Sequence, residues 1–267
     1  MANDIFCTAY GTHLMHFHIL DLLPHVWLST GIINCWASML NHDEVKRREF
    51  TMPRLLCHTT LFTEEMLTKS SYDDNKRLDM FTSALRVVLE EKEELMDLKE
   101  YGNLIFPILD RGHYYLVCFD LKNLAITVID NMDPSESPVK TFDGNDFFLK
   151  STPMKVKDVV VKYLKHVRHP RCHDIAARQP VRLEISWATT GNYEDCGIYA
   201  MRHMETWMGI TEDRWHVGFP TEMAKAKKKI AQLRKKYAVK LITSEANIHR
   251  ERILKEAYQY AGINRDK

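Results

Sequence analysis

The stretch NYEDCGIYAMRHMETW, Asn192 to Trp207, sets Cys196 between an acidic pair and a glycine at the start of a helical pattern. Ile198, Met201, Met204 and Met208 follow at helical spacing. A thiol at a helix N-terminus sits in the positive end of the macrodipole, which favours the thiolate that attacks a carbonyl carbon. Gly197 is small enough to let a substrate backbone come close. The alternative is a small core cysteine after a turn, since unoxidised cysteine is usually buried. A base and an orienting carboxylate elsewhere in the chain decide between the two.

Upstream, GHYYLVCFDLKNLAITVIDNMD reads as two strands, Tyr114 to Asp120 and Ala125 to Asp130, around a polar turn at Lys122 and Asn123. His113 precedes the first strand and Asp130 ends the second, so an antiparallel hairpin brings them to one end of the sheet. An imidazole there takes the thiol proton, and a carboxylate on its other nitrogen fixes the tautomer and stabilises the imidazolium.

His113 followed by an aromatic, Asp130 in ITVIDNM, and DCGIY running into MRHMETW resemble the ubiquitin-like-specific cysteine proteases that process SUMO, in particular divergent plant members associated with transposable elements. The segment VWLSTGIINCWASMLN (Val26 to Asn41) resembles that family's WLND motif and the helix after it, and LRKKYAVKLITSEANIHRERI resembles its terminal helices. The resemblance implies an α+β, papain-like fold with a mixed, largely antiparallel sheet packed against helices. It implies the triad Cys196, His113 and Asp130, hydrolysing the peptide or isopeptide bond after a C-terminal Gly-Gly, most readily that of SUMO. Trp27 and Tyr114 would wall a narrow slot for that tail. No metal or organic cofactor is implied. Two positions depart from the family: Thr190 stands where a Gln usually donates to the oxyanion, with Asn192 two residues on, and Thr30 replaces the acidic residue of WLND. The backbone N–H of Cys196 with Thr190 or Asn192 would hold the oxyanion. The substituted oxyanion position also admits a second reading, a protease fold that binds a ubiquitin-like protein without cleaving it.

The 267 residues, 45% hydrophobic and 27% charged, suit one catalytic domain over 1–267 with a basic helical C-terminal part from about 221. A formal net charge of +1 argues against a dedicated nucleic-acid binder. Six cysteines without framework spacing and the lack of a signal-peptide pattern point to a reducing compartment, nucleus or cytoplasm. No apolar run is long enough to span a membrane. Two histidine-rich stretches, His13 to His25 and HVRHPRCH (His166 to His173), lack the closure of a structural zinc site.

Outside the motifs, helices are expected from Trp27 to Leu40, Asp73 to Glu100 and Pro153 to His166. Strands are expected over Asn103 to Leu109 and Val181 to Trp187, with a short extended stretch within Met52 to Thr68. DPSESP (Asp133 to Pro138) signals a loop. The run KAKKKIAQLRKK (Lys225 to Lys236) opens a basic amphipathic helix, with Ile230 and Leu233 inward and a solvated charged face.

Overall fold

The short apolar run that begins after Asn103 builds the centre of a five-stranded sheet. The computed structural model describes residues 4–47, 53–136, 152–209 and 215–265. A two-stranded ribbon, β1 (Asp4–Cys7) and β2 (His13–Met15), stands apart from the main sheet. The main sheet has the order β3 (Arg54–Leu56), β4 (Asn103–Asp110), β5 (His113–Asp120), β6 (Ala125–Ile129) and β7 (Pro180–Arg182). The three central strands pair antiparallel, and the short edge strands β3 and β7 run parallel to their neighbours. The sheet is therefore mixed and largely antiparallel, as the α+β reading requires.

Helices cover both faces. They are α1 (Thr30–Arg47), α2 (Glu64–Thr68), α3 (Asp74–Val88), α4 (Thr152–His166), α5 (Cys172–Ala176), α6 (Cys196–Thr206), α7 (Met223–Thr243) and α8 (Arg250–Arg265). Side chains of β5 alternate between two cores. Tyr114, Leu116 and Cys118 join α1, α6 and α7, while Tyr115, Val117 and Phe119 join α3 and α4. With both faces covered, every residue of β5 is buried. That strand begins at His113, so the candidate base stands on the most enclosed element of the sheet.

Helix α6 packs across β5 and is buried along most of its length. Ile198, Met201 and Met204 are fully enclosed, and burying such side chains contributes about 1.5–3 kcal/mol each. Met208, expected on the same face, lies beyond the helix end at Thr206 and is exposed. At that end Arg54 donates to the Met204 and Trp207 carbonyls while pairing with Glu44 at 2.6 Å. A cation there satisfies carbonyls that the helix leaves open.

Three expectations change at element ends. The helix from Asp73 stops at Val88, because Glu90, Glu91 and Leu98 take positive φ and turn the chain back to bury Leu95, Met96, Leu98 and Tyr101. The strand expected to reach Trp187 ends at Arg182, where pairing with β6 ends and the chain turns toward the loop before Cys196. The Lys-rich helix buries Ile230 and Leu233 as expected, but it also buries Arg234. Of the DPSESP loop, Ser137 and Pro138 lie outside the described residues. No described helix is long and apolar enough to cross a membrane.

Candidate active site

A two-residue turn starts the site. Asp110 and His113 pair across Arg111 and Gly112, whose φ values are +49° and +79°. Two left-handed central residues form a type I′ turn, whose twist matches the flanking strands, and glycine takes the second position without strain. The turn fixes His113 as the first residue of β5. Asp130 directly follows β6, whose last residue, Ile129, pairs with Leu116. Both side chains are buried, and His113 Nε2 lies 2.6 Å from Asp130 Oδ1. A carboxylate only accepts, so Nε2 carries the proton and Nδ1 is left for the thiol.

Asp130 is itself held in place. Its Oδ1 accepts from the Met132 backbone N–H at 3.0 Å, and its Oδ2 lies 3.3 Å from Arg182 Nη2 on β7. Arg182 also donates to the Met132 carbonyl. Burial by itself lowers the pKa of His113. The hydrogen bond and charge of Asp130, with those of the Cys196 thiol, outweigh burial and push His113 up to about 9. Nδ1 has no partner at ordinary hydrogen-bond geometry. The thiol therefore acts on the ring through a looser approach than Asp130 does.

Cys196 opens α6 with no exposed surface, and its Sγ lies 3.8 Å from the Tyr193 carbonyl. The loop before it is tied to the strand end that carries Asp130. Thr189 N–H donates to the Asn131 carbonyl at 2.7 Å, and Asp133 N–H to the Thr189 carbonyl at 2.8 Å. Within the loop Asn192 Oδ1 accepts from Asp195 N–H at 3.2 Å, which leaves its amide nitrogen as the end available to an oxyanion. Thr190 is exposed.

Gly197 serves a different neighbour from the one expected. A Cβ there would meet Leu28 Cδ1 at 2.8 Å and Leu28 Cβ at 2.9 Å. The glycine admits the Leu28 side chain of this chain, in a buried position, rather than a substrate backbone. Leu28 follows Trp27, so the same contact fixes the approach to Trp27.

Trp27 and Tyr114 are brought together. Their rings stack with centroids 5.3 Å apart and planes 24° apart. Trp27 is partly exposed and donates from Nε1 to the Gly112 carbonyl at 3.2 Å, which binds it to the His113 turn. Tyr114 is fully buried and donates to the Leu28 carbonyl at 3.1 Å. A backbone between two rings needs two van der Waals separations, about 7 Å. In this state the rings touch, so the slot expected between them is closed, and a tail passing there would require Trp27 to lift.

Among the described residues, no group of His, Cys, Asp and Glu side chains could hold a metal ion. His203, on α6, is buried and neutral. Burial lowers it to about 3, and it accepts from Trp187 Nε1 at 3.1 Å. Sequence reasoning missed Arg182 and Arg234. Each carries a charge whose partner is distant in the chain, and no local pattern marks it.

The model of the family described as "Ulp1 protease family, C-terminal catalytic domain" matches residues 26–245. The chain belongs to the Ulp1 protease family. The matched range contains Trp27, His113, Asp130 and Cys196 together. Solved structures of this fold agree. A SUMO protease Ulp1 with its catalytic cysteine oxidised to a sulfenic acid is 14% identical, with TM-score 0.58, covering 92% of this chain and 90% of its own. The C-terminal Ulp1 protease domain in complex with Smt3, the yeast ortholog of SUMO, is 15% identical, with TM-score 0.56 and coverages of 91% and 89%. The Chaetomium thermophilum Ulp1-like SUMO protease catalytic domain is 13% identical, with TM-score 0.54 and coverages of 91% and 83%. No curated protein sequence matches the chain. The fold is that of the Ulp1 catalytic domain, and the family is one of cysteine peptidases.

Proposed function

We propose that this Ulp1-family chain acts as one catalytic domain that cleaves the bond after the C-terminal glycine of a ubiquitin-like modifier, with SUMO the favoured partner. The observation that carries the reading is the buried 2.6 Å contact of His113 with Asp130, next to a cysteine that opens a helix. The SUMO complex formed by one structural neighbour supports the choice of modifier. Cys196 Sγ attacks the glycine carbonyl carbon as a thiolate while His113 carries the proton on Nδ1. The tetrahedral intermediate collapses as Nδ1 gives that proton to the leaving amine, either the backbone amine of a precursor or the ε-amine of a lysine. Water, deprotonated by Nδ1, then releases the acyl group. Asp130 keeps the ring oriented throughout. The Cys196 N–H and a side chain from Asn192 or Thr190 hold the oxyanion, and Trp27 over Tyr114 forms the gate for the diglycine. The reaction takes no cofactor and involves no nucleic acid.

A panel of modifiers ending in Gly-Gly with an electrophilic warhead tests the reading. SUMO should become linked to Cys196, and Cys196→Ala should abolish the adduct. Capture of none of the modifiers, with Cys196 still open to a small alkylating agent, would remove the protease reading. One observation favours the second reading, a binding module without turnover: Cys196 has no exposed surface. A SUMO complex that forms without cleavage or capture would select it.

A further inference from the structure

Arg234 lies on α7, in the run that reads from sequence as a basic, solvated face, yet it is 1% exposed. An arginine has five N–H donors, and here all are engaged. Nε and Nη2 donate to Asp195 Oδ1 at 3.2 and 2.8 Å, and Nη2 also donates to the Glu194 carbonyl at 3.2 Å. Nη1 donates to the Asp21 and Leu23 carbonyls at 3.0 and 2.9 Å. One side chain thus joins the residues just before the nucleophile to the segment that leads into Trp27. Asp21 continues that link, because its Oδ2 accepts from Ser29 N–H at 3.3 Å.

Asp195 is the N-cap residue of α6. An aspartate there ordinarily turns its carboxylate onto the first N–H groups of the helix. Here no side chain caps the helix, because that carboxylate is turned onto Arg234. Among the described residues no group accepts from the N–H of Cys196 or Gly197. On the protease reading, those donors start the helix at the cysteine that attacks and are the ones available to an oxyanion. A free carboxylate one residue away would compete for them and repel the developing charge.

We infer that Arg234 is a positioning residue for the nucleophile: it draws the Asp195 carboxylate off the start of α6, cancels its charge and keeps the first helix amides open for the oxyanion. This rests on the protease reading.

The test compares Arg234→Gln, Asp195→Ala and the double variant. Each is checked for folding by circular dichroism, then measured with a SUMO tail bearing a fluorogenic leaving group and by iodoacetamide alkylation of Cys196 at pH 6. In Arg234→Gln, kcat should fall at least tenfold with KM within about threefold, and alkylation should slow because the freed carboxylate repels the thiolate. Asp195→Ala removes the competitor and should keep kcat within about threefold of wild type. The double variant should recover most of the rate and alkylation lost in Arg234→Gln. A purely structural arginine predicts the reverse, a double variant no faster than Arg234→Gln, and that result overturns the inference. If Arg234→Gln does not fold, Asp195→Ala decides: a folded variant with kcat down tenfold or more overturns the inference, and near-normal kcat supports it. If wild type cleaves nothing, the protease reading falls, and the alkylation rates of the same variants still judge the clamp.

Discussion

Asp130→Asn keeps the shape of the site and removes the charge that supports His113. In the intact chain burial pulls the pKa of His113 down, yet Asp130 and the Cys196 thiol push it up to about 9. Against the ordinary histidine value near 6.5, this is a preference for the imidazolium of roughly 3 kcal/mol. Without the carboxylate, burial is opposed by the thiol alone, and His113 should titrate at about 6.5 or below. The Asn amide can also donate to Nε2, which places the ring proton on Nδ1 in the wrong neutral tautomer. The reactive thiolate–imidazolium pair then loses roughly 3 kcal/mol, or about a hundredfold in rate. The assay is single-turnover cleavage of a Gly-Gly reporter at pH 7, with an NMR titration of the His113 ring. The rate should fall about a hundredfold and binding should change little. A His113 that still titrates near 9, or a rate within about fivefold of wild type, would refute the argument. The same shift has a stability signature. A histidine raised in the folded state stabilises fully below pH 6.5, and that stability is lost as pH rises through about 9. Wild-type Tm should therefore decline across this window, while that of Asp130→Asn stays flatter.

Three further outcomes are expected. Gly197→Ala forces a methyl to within 2.8 Å of Leu28, so it should cost about 1–3 kcal/mol in denaturant unfolding and lower affinity for the modifier tail by displacing Trp27. Thr190→Gln should raise the single-turnover rate about tenfold with modifier affinity nearly unchanged, since an oxyanion contact forms mainly in the transition state. Asn192→Ala should lose rate if that amide already serves, and unchanged rates in both variants would exclude the pair from the oxyanion site. His58 and His203, lowered by burial to about 4 and about 3, stabilise the fold above pH 6.5 and lose that contribution as pH falls. Stability measured against pH should fall on the acid side, and His203→Gln should shift that limb to lower pH.

The hairpin with His113 and Asp130 was legible because two local signals agree there: short runs of aromatic and β-branched apolar residues, and a polar turn at Lys122 and Asn123 between them. The start of α6 was legible because Asp195, Cys196 and Gly197 precede a face of apolar residues at helical spacing. What escaped depends on distant partners. Gly197 reads as room for a substrate until Leu28, far upstream, is seen to fill that room. Arg234 reads as one more cation in a lysine-rich run, although Lys236 and Lys240 also turn to a partner on α6, Glu205. Arg182 appears as the polar step of an alternating strand, and only the β6–β7 pairing brings it to Asp130. The end of α3 was missed because Glu90 and Glu91, good helix formers, adopt left-handed backbone to bury the apolar residues after them.

Helix α6 is held by a buried arginine at each end, and the two ends place different demands on a cation. At the C-terminus Arg54 faces open carbonyls and the negative end of the dipole, so its charge is favourable there even before Glu44 pairs with it. At the N-terminus an isolated cation would oppose the dipole. Arg234 is accommodated there because the Asp21, Leu23 and Glu194 carbonyls take three of its donors and the Asp195 carboxylate takes the other two. Cys196, the proposed nucleophile, thus sits at the end of a rod fixed axially at both termini, packed against β5, and barred from moving toward Leu28 by the contact at Gly197. His113 is fixed as well, by its turn and by Asp130. On the proposed reading, the element left to admit substrate is the partly exposed Trp27, held to the turn by one 3.2 Å hydrogen bond and to Tyr114 by stacking. Those contacts are worth about 1–3 kcal/mol together, which the binding of a modifier tail can offset. The proposed gate can therefore open while Cys196, His113 and Asp130 stay in register.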